Sequence, residues 1–426
     1  MFRSPRNRAG AVALAALAAR VPALIPALIP AVAPAQPSAR DGATLPQAFD
    51  AAWQRQPEAA SQAARRQAAE AARRAASSWL SDAPALDIAA KSDRLSGNDG
   101  LREYDLALSA PLWLPGERAR AGALAEAEDA ALDTKLQASR LRLAATVREA
   151  WWAAQLARAD ETLARARLAN AQQLADDTQR RVRAGELARA DRAQADGALA
   201  QAEGVLAEAS AAASASALAL RALTGAAAAD IGAPQPEPSP AAAPAADPGA
   251  AHPALSELRS RAAVGERAAE LAATRSRANP ELLLGTQRER DQYGQPYHQS
   301  LIVGIRIPFG GGDRAEAKAA SARADALEAQ GQLAVERERL GAEIEAARSR
   351  VAAAQARLAA ADKQSQLAGQ VRGFYDRAFK LGEADLPTRL RVELDAVAAE
   401  RQAARLRIEA AAAVSAWRQA LGLLPQ

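Results

Sequence analysis

Apolar side chains recur along much of the chain in alternating steps of four and three residues, the pattern of helices that pack along their length. Many positions of these seams hold alanine, which predicts close packing between neighbouring helices. We predict long helices over about 117–183 and about 313–380, each roughly 100 Å long at 1.5 Å per residue. One seam contains Leu340, Ile344, Ala347, Val351, Ala354, Leu358 and Ala361, and the next contains Leu390, Leu394, Val397, Arg401, Ala404, Ile408 and Ala411.

Two short segments alternate between apolar and polar residues, which predicts β-strands with one apolar face. They cover residues 104–111 and 301–307, and their partner strands are expected at 85–91 and 281–288. The apolar face is predicted to contain Leu86, Ile88, Tyr104, Leu106, Leu108, Leu301, Val303, Ile305 and Ile307. The opposite face is predicted to contain Asp87, Lys91, Asp105, Ser109 and Arg306.

This alternation is typical of a transmembrane β-barrel, in which the apolar face contacts lipid and the polar face lines a water-filled lumen. No apolar run in residues 36–426 approaches the ~20 residues of a membrane helix. Four strands cannot close a barrel, and open strand edges are not tolerated in lipid, so several copies must combine. Three copies would supply twelve strands. The alternative is that two hairpins lie on a soluble helical body.

Three landmarks recur at a spacing of 197 residues, which indicates an internal duplication. Pro111 is followed by Pro308, the Gly185 turn is followed by a turn at Gly382, and Gly225 is followed by Gly422. We predict two tandem repeats, 36–231 and 251–426, joined by a Pro/Ala linker at 232–250. Each repeat contains a helix, a strand pair, a very long helix and a shorter helix. The fold class is therefore mainly α with a small β part, and the helices 42–76 and 186–224 are expected to stack end to end.

Residues 1–35 resemble a secretory signal peptide, with four arginines, an apolar stretch at 11–19 and a candidate cleavage site at Ala33–Ala35. A disordered Ala/Pro tail is the alternative. The net charge of these residues is +4, which equals that of the whole chain, so residues 36–426 carry none. The neutral remainder argues against nucleic-acid binding. The chain has no cysteine, which argues against a lipid anchor.

The chain shows no catalytic motif. His252 and His298 are isolated in the sequence and are expected at the surface, because metal sites need several converging ligands. The many glutamates and arginines suit solvated helix faces and pairs at i, i+4. We expect no enzymatic activity, cofactor or metal site.

Two strand-to-helix junctions and two helix turns carry a family resemblance. The junctions are PLWLPGER (111–118) and PFGGGDR (308–314), and the turns are RAGE (183–186) and KLGE (380–383). Their duplicated order, over about 41–424, resembles the outer membrane efflux protein family, the TolC-like outer-membrane factors. Segments 377–387 and 147–152 are most similar to its cobalt–zinc–cadmium resistance branch.

This resemblance implies a homotrimer in the outer membrane of a Gram-negative bacterium. A twelve-stranded β-barrel would lie in outer-membrane lipid, and a coiled-coil α-helical barrel would extend through the periplasm. The implied partners are a periplasmic adaptor (membrane fusion) protein and an inner-membrane pump of the resistance–nodulation–division type. The chain would be a passive exit duct for metal ions or small toxic compounds. The alternatives are a periplasmic coiled-coil scaffold and the outer-membrane channel of a type I protein secretion system.

The resemblance also suggests two functional regions. The adaptor-contacting helical tips are expected at Arg183, Gly185, Glu186, Lys380, Gly382 and Glu383. The candidate periplasmic gate contains Asp385, Thr388 and Arg391, where the family archetype has acidic residues at the last two positions. An arginine ring would disfavour cations unless Arg391 is paired with Glu383 or Asp385, or moves away when the channel opens.

Overall fold

A computed structural model describes residues 42–225, 232–240 and 251–426; the predicted signal peptide lies outside the described residues. The described part contains seven α-helices and four β-strands. The helices are α1 (Leu45–Gln54), α2 (Pro57–Ala76), α3 (Glu117–Arg183), α4 (Arg189–Thr224), α5 (Pro253–Thr274), α6 (Gly312–Leu381) and α7 (Leu386–Ala420). The strands are β1 (Ala85–Ser92), β2 (Arg102–Pro111), β3 (Glu281–Arg290) and β4 (His298–Arg306).

The two long helices confirm the mainly helical prediction. Helix α3 has 67 residues and α6 has 70, which corresponds to about 100 Å each. Each helix starts directly after a glycine with a φ of +78°, Gly116 for α3 and Gly311 for α6. This left-handed conformation is accessible to glycine at little cost, so it suits the sharp change from the strand to the helix direction.

Helices α6 and α7 pack along much of their length, as do α3 and α4. The predicted α6 seam is confirmed, because Leu340, Ile344 and Val351 are buried together with its alanines. The predicted α7 seam is partly wrong, since Leu394 is half exposed. In an alanine-rich helix, several faces are apolar enough to pack, so the sequence alone does not select one. The buried stripe of α7 contains Val392, Ala396, Ala399, Ala403 and Leu406.

The predicted first helix, 42–76, is divided into α1 and α2. Pro57 occupies the first position of α2, and Gln56 before it has an extended backbone with ψ of 138°. Proline lacks an N–H donor and disfavours helical geometry in the residue before it, so the helix must restart there. The separation leaves α1 to bury Leu45 and Phe49 in a core with Trp151 of α3, whereas α2 buries no residue.

The four strands form one antiparallel sheet in the order β1-β2-β3-β4. The central pairing of β2 with β3 joins the strand pair before α3 to the strand pair before α6. Strands β1 and β4 are the edges, and one side of each has no strand partner within the described residues. A single chain therefore forms an open sheet.

A buried charge cluster fastens residues 232–240 to the helices. The Glu237 carboxylate accepts hydrogen bonds from Arg148 Nε and Nη2 on α3, at 2.9 and 2.8 Å, and from Arg418 Nε on α7, at 3.1 Å. Glu237 is 4% exposed. Burial alone would raise the pKa of Glu237, but hydrogen bonds from Arg148 and Ser415 and the two guanidinium charges lower it overall. One segment thus connects the two long-helix hairpins.

We expect Glu237→Gln to lower the free energy of unfolding by about 3 kcal/mol, because it leaves two buried guanidinium groups without a charge partner. Chemical unfolding of the purified protein, followed by circular dichroism, measures this change. The matched control is Glu409→Gln, which removes a more exposed pair with Arg357 at 3.7 Å and should cost less than about 1 kcal/mol. Similar losses in the two variants would contradict the role of the cluster.

The stabilisation that Glu237 provides should depend on pH. Because the folded-state pKa of Glu237 lies below its ordinary value of 4.5, the stabilisation is complete above that value and is lost as the pH falls through the folded-state pKa. The stability difference between the parent protein and Glu237→Gln should therefore shrink below pH 4.5.

Candidate functional site

One face of the sheet is continuous, apolar and exposed. Residues paired directly across an antiparallel sheet lie on the same side, and the register pairs Leu86 with Leu108, Leu108 with Leu284, and Leu284 with Val303. The eight predicted lipid-facing residues within strands all lie on this side, and Ile307 directly follows β4. These nine side chains are 43% to 73% exposed. The predicted lumen-facing residues Asp87, Lys91, Asp105, Ser109 and Arg306 lie on the opposite side.

Strand β3 contributes two residues to the apolar face that the sequence did not reveal. Leu282 pairs with Ile305 and Leu284 pairs with Val303. Three consecutive leucines at 282–284 conceal the alternation, so the face of each leucine depends on register. Towards the loop end the same side becomes polar, with Thr286 and then Arg288, which stacks on Tyr297 at 4.6 Å.

The junction between the sheet and the long helices is held by a buried carboxylate. Glu117, the first residue of α3, accepts hydrogen bonds from Leu114 N at 3.0 Å, Arg275 Nε at 2.7 Å and Asn279 Nδ2 at 2.9 Å. These contacts join the starts of α3 and β3. Trp79 and Phe309, which lie close in sequence to β1 and β4, are almost fully exposed. The exposure of Trp79 was not predicted from the sequence.

The turns between α3 and α4 and between α6 and α7, at the ends of the long helices away from the sheet, require glycine. Gly185 and Gly382 both have a φ of +80°, and in each turn the following residue donates a backbone hydrogen bond to the last helical turn. Nothing lies within 4 Å of a Cβ built at either position, so the backbone conformation, not space, demands glycine. The six predicted tip residues are all exposed.

Behind the second tip, Phe379 joins three helices. It is 2% exposed, and the guanidinium groups of Arg181 from α3 and Arg389 from α7 lie over its ring at 5.0 and 4.7 Å. Arg389 also donates to Asp376 of α6 at 2.7 Å. Hydrogen bonds from Lys380 and the charge of Arg389 lower the pKa of Asp376, so this carboxylate stays ionised. This cluster was not predicted from the sequence, because its members come from three separate helices.

The candidate gate residues occupy the start of α7. Asp385 is its N-cap, and its carboxylate accepts from Thr388 N at 3.0 Å. The pKa of Asp385 is lowered first by the Thr388 side-chain hydrogen bond and then by the other groups around it, including the charge of Arg391. Arg391 is exposed and forms no ion pair with Glu383, Asp385 or any other residue that the structure describes. Of the two ways in which Arg391 could be kept from disfavouring cations, pairing with Glu383 or Asp385 does not occur among the described residues of the single chain, and movement on opening stays a prediction.

The two histidines have different environments. His298 is exposed on β4, but the predicted surface position of His252 is wrong. His252 is buried at the start of α5, where its Nδ1 accepts from Ala254 N at 3.2 Å, and burial lowers its pKa. This capping role was not predicted from the sequence. Across the described ranges, no three His, Cys, Asp or Glu side chains are placed to hold a metal ion.

Within residues 42–225, 232–240 and 251–426, no helix combines the length and the apolarity needed for a membrane span.

Known proteins share a family match with part of this chain and a fold with most of it. Residues 48–226 match the family model described as outer membrane efflux protein. The search of curated proteins produced no match. The fold is similar to that of VceC, an outer membrane protein of Vibrio cholerae, with 20% identity, a TM-score of 0.69, and coverage of 89% of this chain and 96% of VceC.

Two further structures show the same fold. The CmeC outer membrane channel of Campylobacter jejuni is 16% identical, with a TM-score of 0.71 over 89% of this chain and 85% of CmeC. The open state of the MtrE outer membrane channel of Neisseria gonorrhoeae is 16% identical, with a TM-score of 0.69 over 90% of each chain.

Together, the family match over the first half and the fold match over most of the chain support an outer-membrane factor of the TolC-like family. This is a class of efflux channels and not of enzymes.

Proposed function

We propose that three copies of this chain form the outer-membrane channel of a tripartite efflux system. The observation that carries the proposal is the continuous apolar face of the open sheet, which a single chain leaves exposed on all four strands. Such a large exposed apolar patch marks a protein or membrane contact. Strands of eight to ten residues are close to the 9–11 that a tilted strand needs to cross a bilayer.

Closure of the barrel follows from the unpaired edges. Strand β1 of one copy would pair with β4 of the next, so that every backbone group in lipid has a partner. Three copies give twelve strands. Leu86 and Ile88 of β1, and Leu301 and Val303 of β4 in the next copy, would face lipid where the two strands pair. Asp87, Asp105 and Arg306 would then face water inside the barrel.

The long helices would carry the duct from the barrel through the periplasm. Their length of about 100 Å, together with the shorter helices, suits a helical barrel that continues the β-barrel. Cargo would cross passively, driven by an inner-membrane pump of the resistance–nodulation–division type through a periplasmic adaptor. The cargo class is metal ions or small toxic compounds, and the resemblance of 377–387 to the cobalt–zinc–cadmium branch supports the former.

Two alternative functions also involve long helices. A periplasmic coiled-coil scaffold accounts for the helices but provides no role for an exposed apolar sheet. A type I protein secretion channel would use the same architecture with a different pump, so the identity of the partner distinguishes it.

The first test concerns the membrane face. We expect Val303→Arg to prevent stable insertion, because a charge near the bilayer midplane costs about 2–4 kcal/mol in each copy. The matched control is Ser300→Arg, which places the same side chain on the opposite face of β4. Membrane fractionation and a heat-modifiable trimer band on gels measure the result. A parent protein that is monomeric and soluble without detergent, or two variants that insert equally, would contradict the proposal.

The second test concerns the tips, which we propose contact the adaptor through the exposed turns at Gly185 and Gly382. The chain has no cysteine, so Glu186→Cys and Glu383→Cys each provide a unique crosslinking position. With a photo-crosslinker attached, these positions should capture a periplasmic hairpin adaptor, identified by mass spectrometry. Asp176→Cys and Asp395→Cys, exposed on the adjoining helices, are the controls and should yield at least about tenfold less product. Equal capture at tips and controls would refute a specific contact.

The third test concerns the gate. We propose that Asp385, Thr388 and Arg391 surround the periplasmic entrance, where three unpaired Arg391 side chains would repel cations. Arg391→Ala should raise the cation-to-anion permeability ratio by about fivefold, since one charge at 4 Å in water is worth about 1 kcal/mol. Reversal potentials in planar bilayers measure the ratio, with Arg377→Ala, exposed on α6, as the control. An unchanged ratio in the Arg391 variant would place this residue outside the lumen.

A further inference from the structure

A groove of about 1220 Å³ lies between the two long-helix hairpins near their tips, and we call it the tip groove. It is lined by residues of α3, α4, α6 and α7, including Asn170, Gln194 and Gln201, which supply neutral amide groups. Its cationic residues are Arg167, Arg180 and Arg181 on α3, Arg372 and Lys380 on α6, and Arg389 and Arg391 on α7. Its acidic residues are Asp177, Asp376 and Glu393.

The fold sorts charge into this groove. The two sequence segments that contribute to it, 167–201 and 369–397, together contain eleven cationic and ten acidic side chains. Seven of the eleven cationic side chains line the groove, compared with three of the ten acidic ones. The groove therefore carries a net charge of +4 in a region that is nearly neutral by composition.

Ion pairs leave part of this charge unneutralised. Arg372 is fully paired, since it contacts both Glu393 and Glu400, at 3.7 and 2.9 Å. Asp177 is shared by Arg180 and Arg181, and Asp376 is shared by Lys380 and Arg389. Arg167 contacts the Gln201 amide at 3.4 Å, and neither it nor Arg391 has a carboxylate partner among the residues described. Shared or missing counterions leave guanidinium N–H donors available to an incoming anion.

Two of the arginines are held in place before any ligand binds. Arg181 and Arg389 stack on the buried Phe379 ring, and each is about one-quarter exposed or less. Such preorganisation reduces the entropy lost on binding. Gly369 and Gly373 of α6 border the same space, and nothing lies within 4 Å of a Cβ built at either one. Glycine inside a helix costs up to about 1 kcal/mol relative to alanine, and here it leaves room in the groove.

We propose that the tip groove binds a small multivalent anion bearing carboxylate or phosphate groups. The cations converge from three helices on one hollow instead of following a single exposed stripe, which suits a compact anion better than an extended acidic peptide. Guanidinium groups match carboxylate and phosphate oxygens in a two-point geometry. This binding does not depend on the proposed function.

Isothermal titration calorimetry of the purified full chain in low salt tests the proposal, with inorganic pyrophosphate and citrate as probes. The parent protein should bind both anions, more weakly as salt rises. Arg167→Gln/Arg391→Gln removes the two arginines without carboxylate partners, so no acid is left unpaired. This variant should bind pyrophosphate at least about tenfold more weakly. Arg377→Gln, an equal charge change per residue on the exposed outside of α6, is the control and should bind as the parent does.

Three outcomes would overturn the proposal: a parent protein that binds neither anion, a control that weakens binding as much as the double variant, or binding of a decaglutamate peptide without binding of either small anion. The last result would assign the groove to an acidic protein segment. Because binding is measured in solution, it is separable from channel formation. Anion binding by a chain that forms no trimer would sink the proposed function and leave this inference intact.

Discussion

The antiparallel pairing of β2 with β3 is the interaction on which the rest of this architecture depends. It joins strand pairs that lie nearly 200 residues apart in the sequence, and its register aligns Leu108 with Leu284. A shift of one residue would turn Leu282 and Leu284 to the polar side and put Leu283 and Gly285 in their place, which would reduce the apolar face between β2 and β4. The same pairing places the starts of α3 and α6 at one end of the sheet, so two helices of nearly equal length extend from it.

Small side chains then allow the long helices to remain in contact along their length. Alanines such as Ala347, Ala354 and Ala361 are buried on α6, and Ala396, Ala399 and Ala403 are buried on α7. Each contributes little apolar area, so stability accumulates over many turns instead of in a compact core. Clusters with larger side chains lie around Trp151, at the middle of α3, and around Phe379, near the end of α6. The buried charges of Arg148, Glu237 and Arg418 fasten the linker to both hairpins beside the first of these clusters.

Charged side chains are distributed differently at the sheet and at the helix tips. Away from the loop end of the sheet, charged side chains lie on one face, because the other face is suited to an apolar environment. At the tips, charges of both signs are abundant, yet the packing of α3, α6 and α7 directs cations towards one groove. Phe379 is central to this arrangement, because its buried ring orients arginines from two neighbouring helices.

The sequence by itself determined the elements, because their signals are local. Heptad spacing defined α3 and α6 to within one or two residues, alternation assigned the two faces of β1, β2 and β4, and glycines at 185 and 382 marked turns that need a positive φ. The tertiary structure decided burial, strand register and ion pairing, because these depend on residues that are distant in the sequence. It chose among the apolar stripes of α7, placed Leu282 and Leu284 by register, buried His252, and brought Glu237 between two arginines. The tip groove belongs to the same group, since its charge arises from three helices whose side chains meet only when the hairpins pack.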